Sequence, residues 1–110
     1  MIKENARPAN DESDDSYELV LYISGATEQS RLALSNIKSL GERRLKGRYR
    51  LAVVDLYQQP QLARGEAIIA TPTLVKKLPL PLRRMVGDLS DEERVLVGLD
   101  LIQMPDREGG

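Results

Sequence analysis

The sequence has no cysteine, no histidine, no tryptophan and no phenylalanine. Without cysteine there is no disulfide, no thiol redox chemistry, no cysteine nucleophile and no thiolate metal site. Without histidine the commonest general base and the commonest metal ligand are missing. Most small enzymes rely on one of the two, so the composition points away from catalysis. Charge of one sign is not in excess either: 16 basic and 17 acidic residues give a net charge of -1. That balance makes no global case for nucleic acid or an anionic membrane. Four tyrosines are the only aromatics, and few stacking platforms for bases follow. No apolar run approaches the ~18 residues of a membrane span. The N-terminus lacks the apolar core of a signal peptide, so the expected location is the cytoplasm.

What is present suits one small globular domain. In 110 residues, 41% are hydrophobic and 30% charged. A chain of this length buries roughly two-thirds of its unfolded surface, enough for a single modest core. Residues 1–16 carry Lys3 and Arg7 against Glu4, Asp11, Glu12, Asp14 and Asp15, with almost nothing apolar after Ile2. They read as a disordered acidic extension. Residues 17–104 read as the domain, and 105–110 as a loose tail.

The segment 17–23 (YELVLYI) is apolar on both alternations, as a central strand requires. A helix follows, with Thr27 as its N-cap, Ala33, Ile37 and Leu40 on one face, and Gly41 as its terminator. The run Arg43, Arg44, Lys46, Arg48, Arg50 reads as a solvated loop and strand start. Residues 49–56 (YRLAVVDL) form the second strand, parallel to the first across a βαβ unit. Asp55, near its carboxyl end, reads as a turn or capping carboxylate. Pro60 opens a short helix whose apolar face is Leu62, Ala67, Ile68 and Ile69. Pro72 leads into a strand of Thr73, Leu74 and Val75, and a proline just before an apolar strand is a place where a cis bond can fix a tight approach. The segment 78–82 (LPLPL) is a rigid link or turn, and 83–86 a short strand closed by Gly87 and Asp88. From Ser90 onward two patterns conflict. Ser90 with Glu93 makes a capping box for a helix. Val95, Val97, Leu99 and Leu101 alternate as a strand would, and Gly98 costs a helix about 1 kcal/mol relative to alanine.

No phosphate-binding glycine pattern, zinc-ligand spacing or serine elbow occurs. Asp88, Asp91, Glu92 and Glu93 are explained as helix-capping carboxylates rather than a cation site. No metal and no cofactor is expected.

Several strings together resemble the KaiB family: LYISGAT (21–27), VDL (54–56), PQLA (60–63), IATPTL (69–74), LPLPLRR (78–84), GDLSD (87–91) and VLVGLDL (95–101). They span the whole expected domain. The resemblance implies an α/β, thioredoxin-like fold, βαβαββα, in a partner-binding monomer. It also implies an alternative βαββααβ ground state that forms oligomers, dimers or tetramers, and shares only the first strand–helix–strand. Thioredoxins carry their two thiols in the loop after the first strand; here that loop is Ser24–Thr27. The family implies a non-catalytic regulator of a KaiC-type ring ATPase, in circadian or stress timing. The acidic extension and the weakly acidic tail depart from compact cyanobacterial members. The alternative reading is a sensor module acting on a histidine kinase, because a KaiB-like domain stands at the front of such kinases; a glutathione-transferase-like fragment is remote.

On that resemblance the partner contacts are expected among charged residues of the rebuilt half and its rim: Lys76, Arg83, Arg84, Asp88 and Asp91, with Arg31 on the first helix. The balance between folds is expected to rest on Gly98 and Asp100. Pro72, Pro79 and Pro81 are expected to slow conversion, since X-Pro bonds isomerise over tens of seconds or more. Gly98→Ala is expected to favour the thioredoxin-like form.

Overall fold

The computed structural model describes residues 16–101. The acidic extension at 1–15 and the tail at 105–110 lie outside the described residues, as does 102–104. Seven elements run in the order β1 (Tyr17–Ile23), α1 (Glu28–Arg44), β2 (Tyr49–Asp55), α2 (Gln61–Glu66), β3 (Thr73–Leu78), β4 (Arg83–Val86) and α3 (Glu92–Gly98). The sheet order is β2-β1-β3-β4. β1 and β2 are parallel, with Leu19 opposite Leu51. β3 runs antiparallel to both β1 and β4, with Leu21 opposite Leu74 and Leu74 opposite Met85. This is the expected βαβαββα arrangement.

The central position of β1 follows from its sequence. Tyr17, Leu19 and Leu21 enter the main core with Ala33, Ile37 and Leu40 of α1, Leu74 of β3, and Val95, Leu96, Leu99 and Leu101 of the last segment. α1 and α3 therefore share one face of the sheet. On the other face Tyr22, Thr73 and Val75 are buried. Tyr17 closes the fold: its hydroxyl donates to the Leu101 carbonyl at 3.3 Å.

α1 does not stop at Gly41. It continues to Arg44, and Gly41 is buried within it. A Cβ there would overlap the Tyr49 ring, so the glycine serves close packing against β2 rather than termination. α2 also differs from expectation. It has six residues and none of them is buried, while Leu62 and Ile69 are exposed. Its attachment is polar: Lys77 pairs with the Glu66 carboxylate, and Arg84 Nη1 donates to the Glu66 and Ala67 carbonyls at 2.9 and 3.3 Å.

The conflict after Ser90 resolves as a helix, capped one residue later than the capping box places it. Asp91 Oδ1 accepts from the Arg94 N–H at 3.2 Å. The strand-like alternation fails as a buried face because Val97 is 65% exposed while its neighbour Leu96 is buried. α3 ends in a Schellman motif. The Leu101 N–H donates to the Leu96 carbonyl at 2.8 Å and the Asp100 N–H to the Val97 carbonyl at 3.1 Å. Asp100 takes the left-handed position, at φ 59. The Thr71–Pro72, Leu78–Pro79 and Leu80–Pro81 bonds are all cis.

Candidate functional site

Parallel strands β1 and β2 end at the same edge of the molecule, where α/β folds commonly place their sites. Here one carboxylate knits the loops together. Asp55 Oδ1 accepts from the Gly25 N–H at 2.9 Å and from the Tyr57 N–H at 2.9 Å. The expectation that Asp55 is a turn carboxylate is met, and it also binds the loop after β1. Thr27 caps α1 as expected, its Oγ1 accepting from the Ser30 N–H at 3.1 Å. The loop Ser24–Thr27 thus offers backbone amides and hydroxyls, all in structural use or exposed, and no thiol. Among the described residues no group of three or more acidic, histidine or cysteine side chains is placed to hold a metal.

The same end carries large exposed apolar side chains. Ile69 is 94% exposed and Tyr57 80%. Val86, the last residue of the opposite edge strand β4, is exposed at the same end of the sheet. Large exposed apolar side chains gathered at one end of a small domain mark an interaction surface more often than chance would. Sequence reading missed both Tyr57 and Ile69. It placed Ile69 on a helix face that the six-residue α2 is too short to include.

The six charged candidates do not form one patch. Arg31 and Asp88 lie toward the end just described, while Asp91 caps α3, whose next residue Glu92 pairs with the last turn of α1. Arg31 Nη1 turns back to the Ala26 carbonyl at 3.1 Å. Asp88 Oδ1 accepts from the Ser90 N–H at 3.0 Å, and its carbonyl accepts from Asn36 Nδ2 at 2.8 Å. Asp88 and Asp91 border an open cavity of about 300 Å³ with Gln29, Met85, Val86 and Arg94. Lys76 and Arg83 lie opposite each other toward the far end, by the 79–82 turn.

Lys76 departs from the exposed position expected of it. It is only 1% exposed, and its Nζ donates to the Pro79 carbonyl at 2.9 Å. Burial pushes its pKa below the usual lysine value; Asp100 opposes the shift and Arg83 adds to it. In this fold Lys76 is an internal cation that ties β3 to its following turn. Arg84 is exposed, but its guanidinium holds the end of α2. Next to it, the hydrogen bond to Glu66 holds the Lys77 pKa above the usual value. Burial raises the Tyr22 phenol, with the Glu66 charge adding to it.

The residues expected to balance two folds are placed as follows. Pro72 is buried ahead of β3, and its carbonyl accepts from the Gly87 N–H at 2.9 Å. Pro79 and Pro81 form the β3–β4 turn. Gly98 is the last residue of α3, and a Cβ on it would overlap the Met85 methyl group. The glycine therefore admits Met85 as well as weakening the helix. The gain expected of Gly98→Ala is set against displacement of a flexible methionine tip.

Comparison with known proteins matches this architecture. The KaiB domain family matches residues 20–101. The circadian clock oscillator protein KaiB of Prochlorococcus marinus is 54% identical over 86 residues, covering 78% of this chain and 80% of that protein. The protein of the same name from Gloeothece citriformis is 49% identical over 94 residues, covering 84% and 89%. Among solved structures, the N-terminal domain of Synechococcus elongatus SasA superposes with a TM-score of 0.65 at 22% identity, over 98% of each chain. Mitochondrial thioredoxin 3 of Saccharomyces cerevisiae superposes with a TM-score of 0.62 at 14% identity, over 79% of each. These two superpositions establish a thioredoxin-like fold, on a chain with no cysteine.

Proposed function

The chain belongs to the KaiB family, and from that premise we propose that it is a non-catalytic binding module that docks on a KaiC-type ring ATPase and alters its cycle. The observation that carries this reading is the end of the sheet at Ser24–Thr27. A thioredoxin-like scaffold keeps its thiols there; this chain has a locked, thiol-free loop flanked by Tyr57 at 80% and Ile69 at 94% exposure. Such a surface is suited to docking and to no group transfer.

The fold described is the binding-competent one, and a βαββααβ oligomer is the alternative form with which it exchanges. Two observations support this. Among the described residues, Lys46, Ala67, Leu89 and Asp100 are the non-glycine residues with positive φ, and the last three lie after β2. Each such conformation costs on the order of 1 kcal/mol, so the strain falls on the half that the other form rebuilds. The alternating Val95–Leu101 pattern is also better satisfied as a strand than as a helix that exposes Val97. A partner that binds only this form then shifts the population toward it.

The test is retention of a KaiC-type ATPase from the same source, with ATP, on the immobilised chain, alongside size-exclusion of the free protein. The unaltered chain is expected to retain the ATPase. Tyr57→Glu and Ile69→Glu, both at exposed positions, are expected to lose at least about tenfold in affinity with an unchanged Tm. Failure of the unaltered chain to retain the ATPase, or equal retention by both variants, overturns the proposal.

A further inference from the structure

We propose that α3 is clamped to α1 by a four-residue ionic contact, so that docking of α3 responds to ionic strength. The last turn of α1 carries Arg43 and Arg44, and the first turn of α3 carries Glu92 and Glu93. Arg43 meets Glu92 at two points: Nη2 lies 2.8 Å from Oε2 and Nη1 3.5 Å from Oε1. Arg44 Nη1 lies 3.5 Å from both Glu92 Oε1 and Glu93 Oε2. Ser39, one turn back on α1, accepts from Arg43 Nε at 3.2 Å and orients the guanidinium from its own helix.

Two features set this contact apart from an ordinary surface ion pair. First, Glu92 Oε2 is shielded from water and has no hydrogen bond, leaving the Arg43 guanidinium 2.8 Å away as its charge partner. The guanidinium charge is what compensates it, and removing that charge strands a desolvated carboxylate oxygen. Second, α3 has seven residues, too few to persist without tertiary attachment. Its later residues are fastened by apolar burial of Val95, Leu96, Leu99 and Leu101. Its first turn points Glu92 and Glu93 at α1 and is fastened by charge. The neutral ties nearby, Leu89 buried in the core and Asn36 donating to the Asp88 carbonyl, lie before the helix. Arg43 and Glu93 are 57% and 72% exposed at their side chains. Salt therefore reaches the clamp: the screening length falls from about 10 Å at 0.1 M to about 3 Å at 1 M.

The experiment is amide hydrogen exchange on the monomer fraction of the free protein, isolated by size exclusion at each salt concentration so that the oligomer of the alternative fold does not contribute. It follows the Val95, Leu99 and Leu101 amides, bonded to the Asp91, Val95 and Leu96 carbonyls, with the β1 amides as reference. Raising NaCl from 0.05 to 1 M is expected to speed the α3 amides by about three- to fivefold relative to β1. The Arg43→Gln/Arg44→Gln protein is expected to show that acceleration already at low salt, and little further response. Reversing both sides, Arg43→Glu/Arg44→Glu with Glu92→Arg/Glu93→Arg, is expected to slow exchange relative to either reversed side alone. The proposal is overturned if the α3 amides of the unaltered protein ignore salt relative to β1, or if the double reversal exchanges as fast as its parents. The salt titration needs no variant, so a protein that fails to fold does not shelter the idea.

Discussion

Asp100→Gly is a sharp test of how α3 ends. Asp100 holds the left-handed position of a Schellman motif at φ 59, a place that favours glycine. A Cβ in that conformation costs about 1–2 kcal/mol. Glycine also loses more freedom on folding, which returns about 0.4–1 kcal/mol. The net backbone gain is then about 0.5–1 kcal/mol. Asp100 also supplies an attraction to Lys76, visible as its upward pull on the Lys76 pKa, and glycine removes it. Asp100→Ala separates the two effects, because alanine loses the carboxylate but keeps the Cβ. Inside a helix alanine beats glycine by about 1 kcal/mol. At position 100 the order is expected to invert, with glycine the more stable by about 0.5–1 kcal/mol, a Tm difference of roughly 2–8 °C. Thermal unfolding followed by far-UV circular dichroism measures this. Hydrogen exchange at the Leu101 amide, whose bond to Leu96 closes the motif, localises it. An alanine variant equal to or more stable than the glycine variant would refute the argument.

Two other outcomes are expected. Gly41→Ala adds helix propensity worth about 1 kcal/mol but drives a Cβ into the Tyr49 ring. That ring is pinned by its hydroxyl on Glu42 Oε2 at 3.2 Å, so overpacking wins and urea unfolding should show a loss of about 1 kcal/mol or more. For Lys76 the folded-state pKa is lowered from 10.5. Between the lowered value and 10.5 the unfolded chain binds more protons, so the Lys76 contribution to stability rises with pH in that window. The stability of the unaltered protein minus that of Lys76→Met, from urea unfolding, is expected to increase between neutral pH and pH 10; a flat or falling difference contradicts it.

The first half of the fold is legible in the sequence because its signals are local and agree. β1 is apolar on both faces, Thr27 is followed by a helical apolar stripe, and Asp55 closes a strand. The misreadings each arise from a partner distant in sequence. Gly41 looks like a stop when read alone; its reason is Tyr49, eight positions on and across a turn. Lys76 looks exposed by residue type, yet the Pro79 carbonyl and Asp100 make burial tolerable. Leu62 and Ile69 look like a buried helix face, but α2 is held by Lys77 and Arg84 and leaves its apolar residues outside. The site is legible in the same uneven way. The lack of thiols in the Ser24–Thr27 loop is plain from composition. The exposure of Tyr57 and Ile69 depends on how short α2 is.

The three helices of the described residues differ in length in a way that bears on the order of folding. α1 has 17 residues, whereas α2 and α3 have six and seven. Helices shorter than about 12 residues are marginal in water on their own. α1 is long enough to form early and is flanked by two strands that pair within one local unit. The expected nucleus is therefore β1–α1–β2, with high φ-values along α1 and low ones in α2 and α3. The second half then condenses on a finished template, and substitutions there change the unfolding rate more than the folding rate.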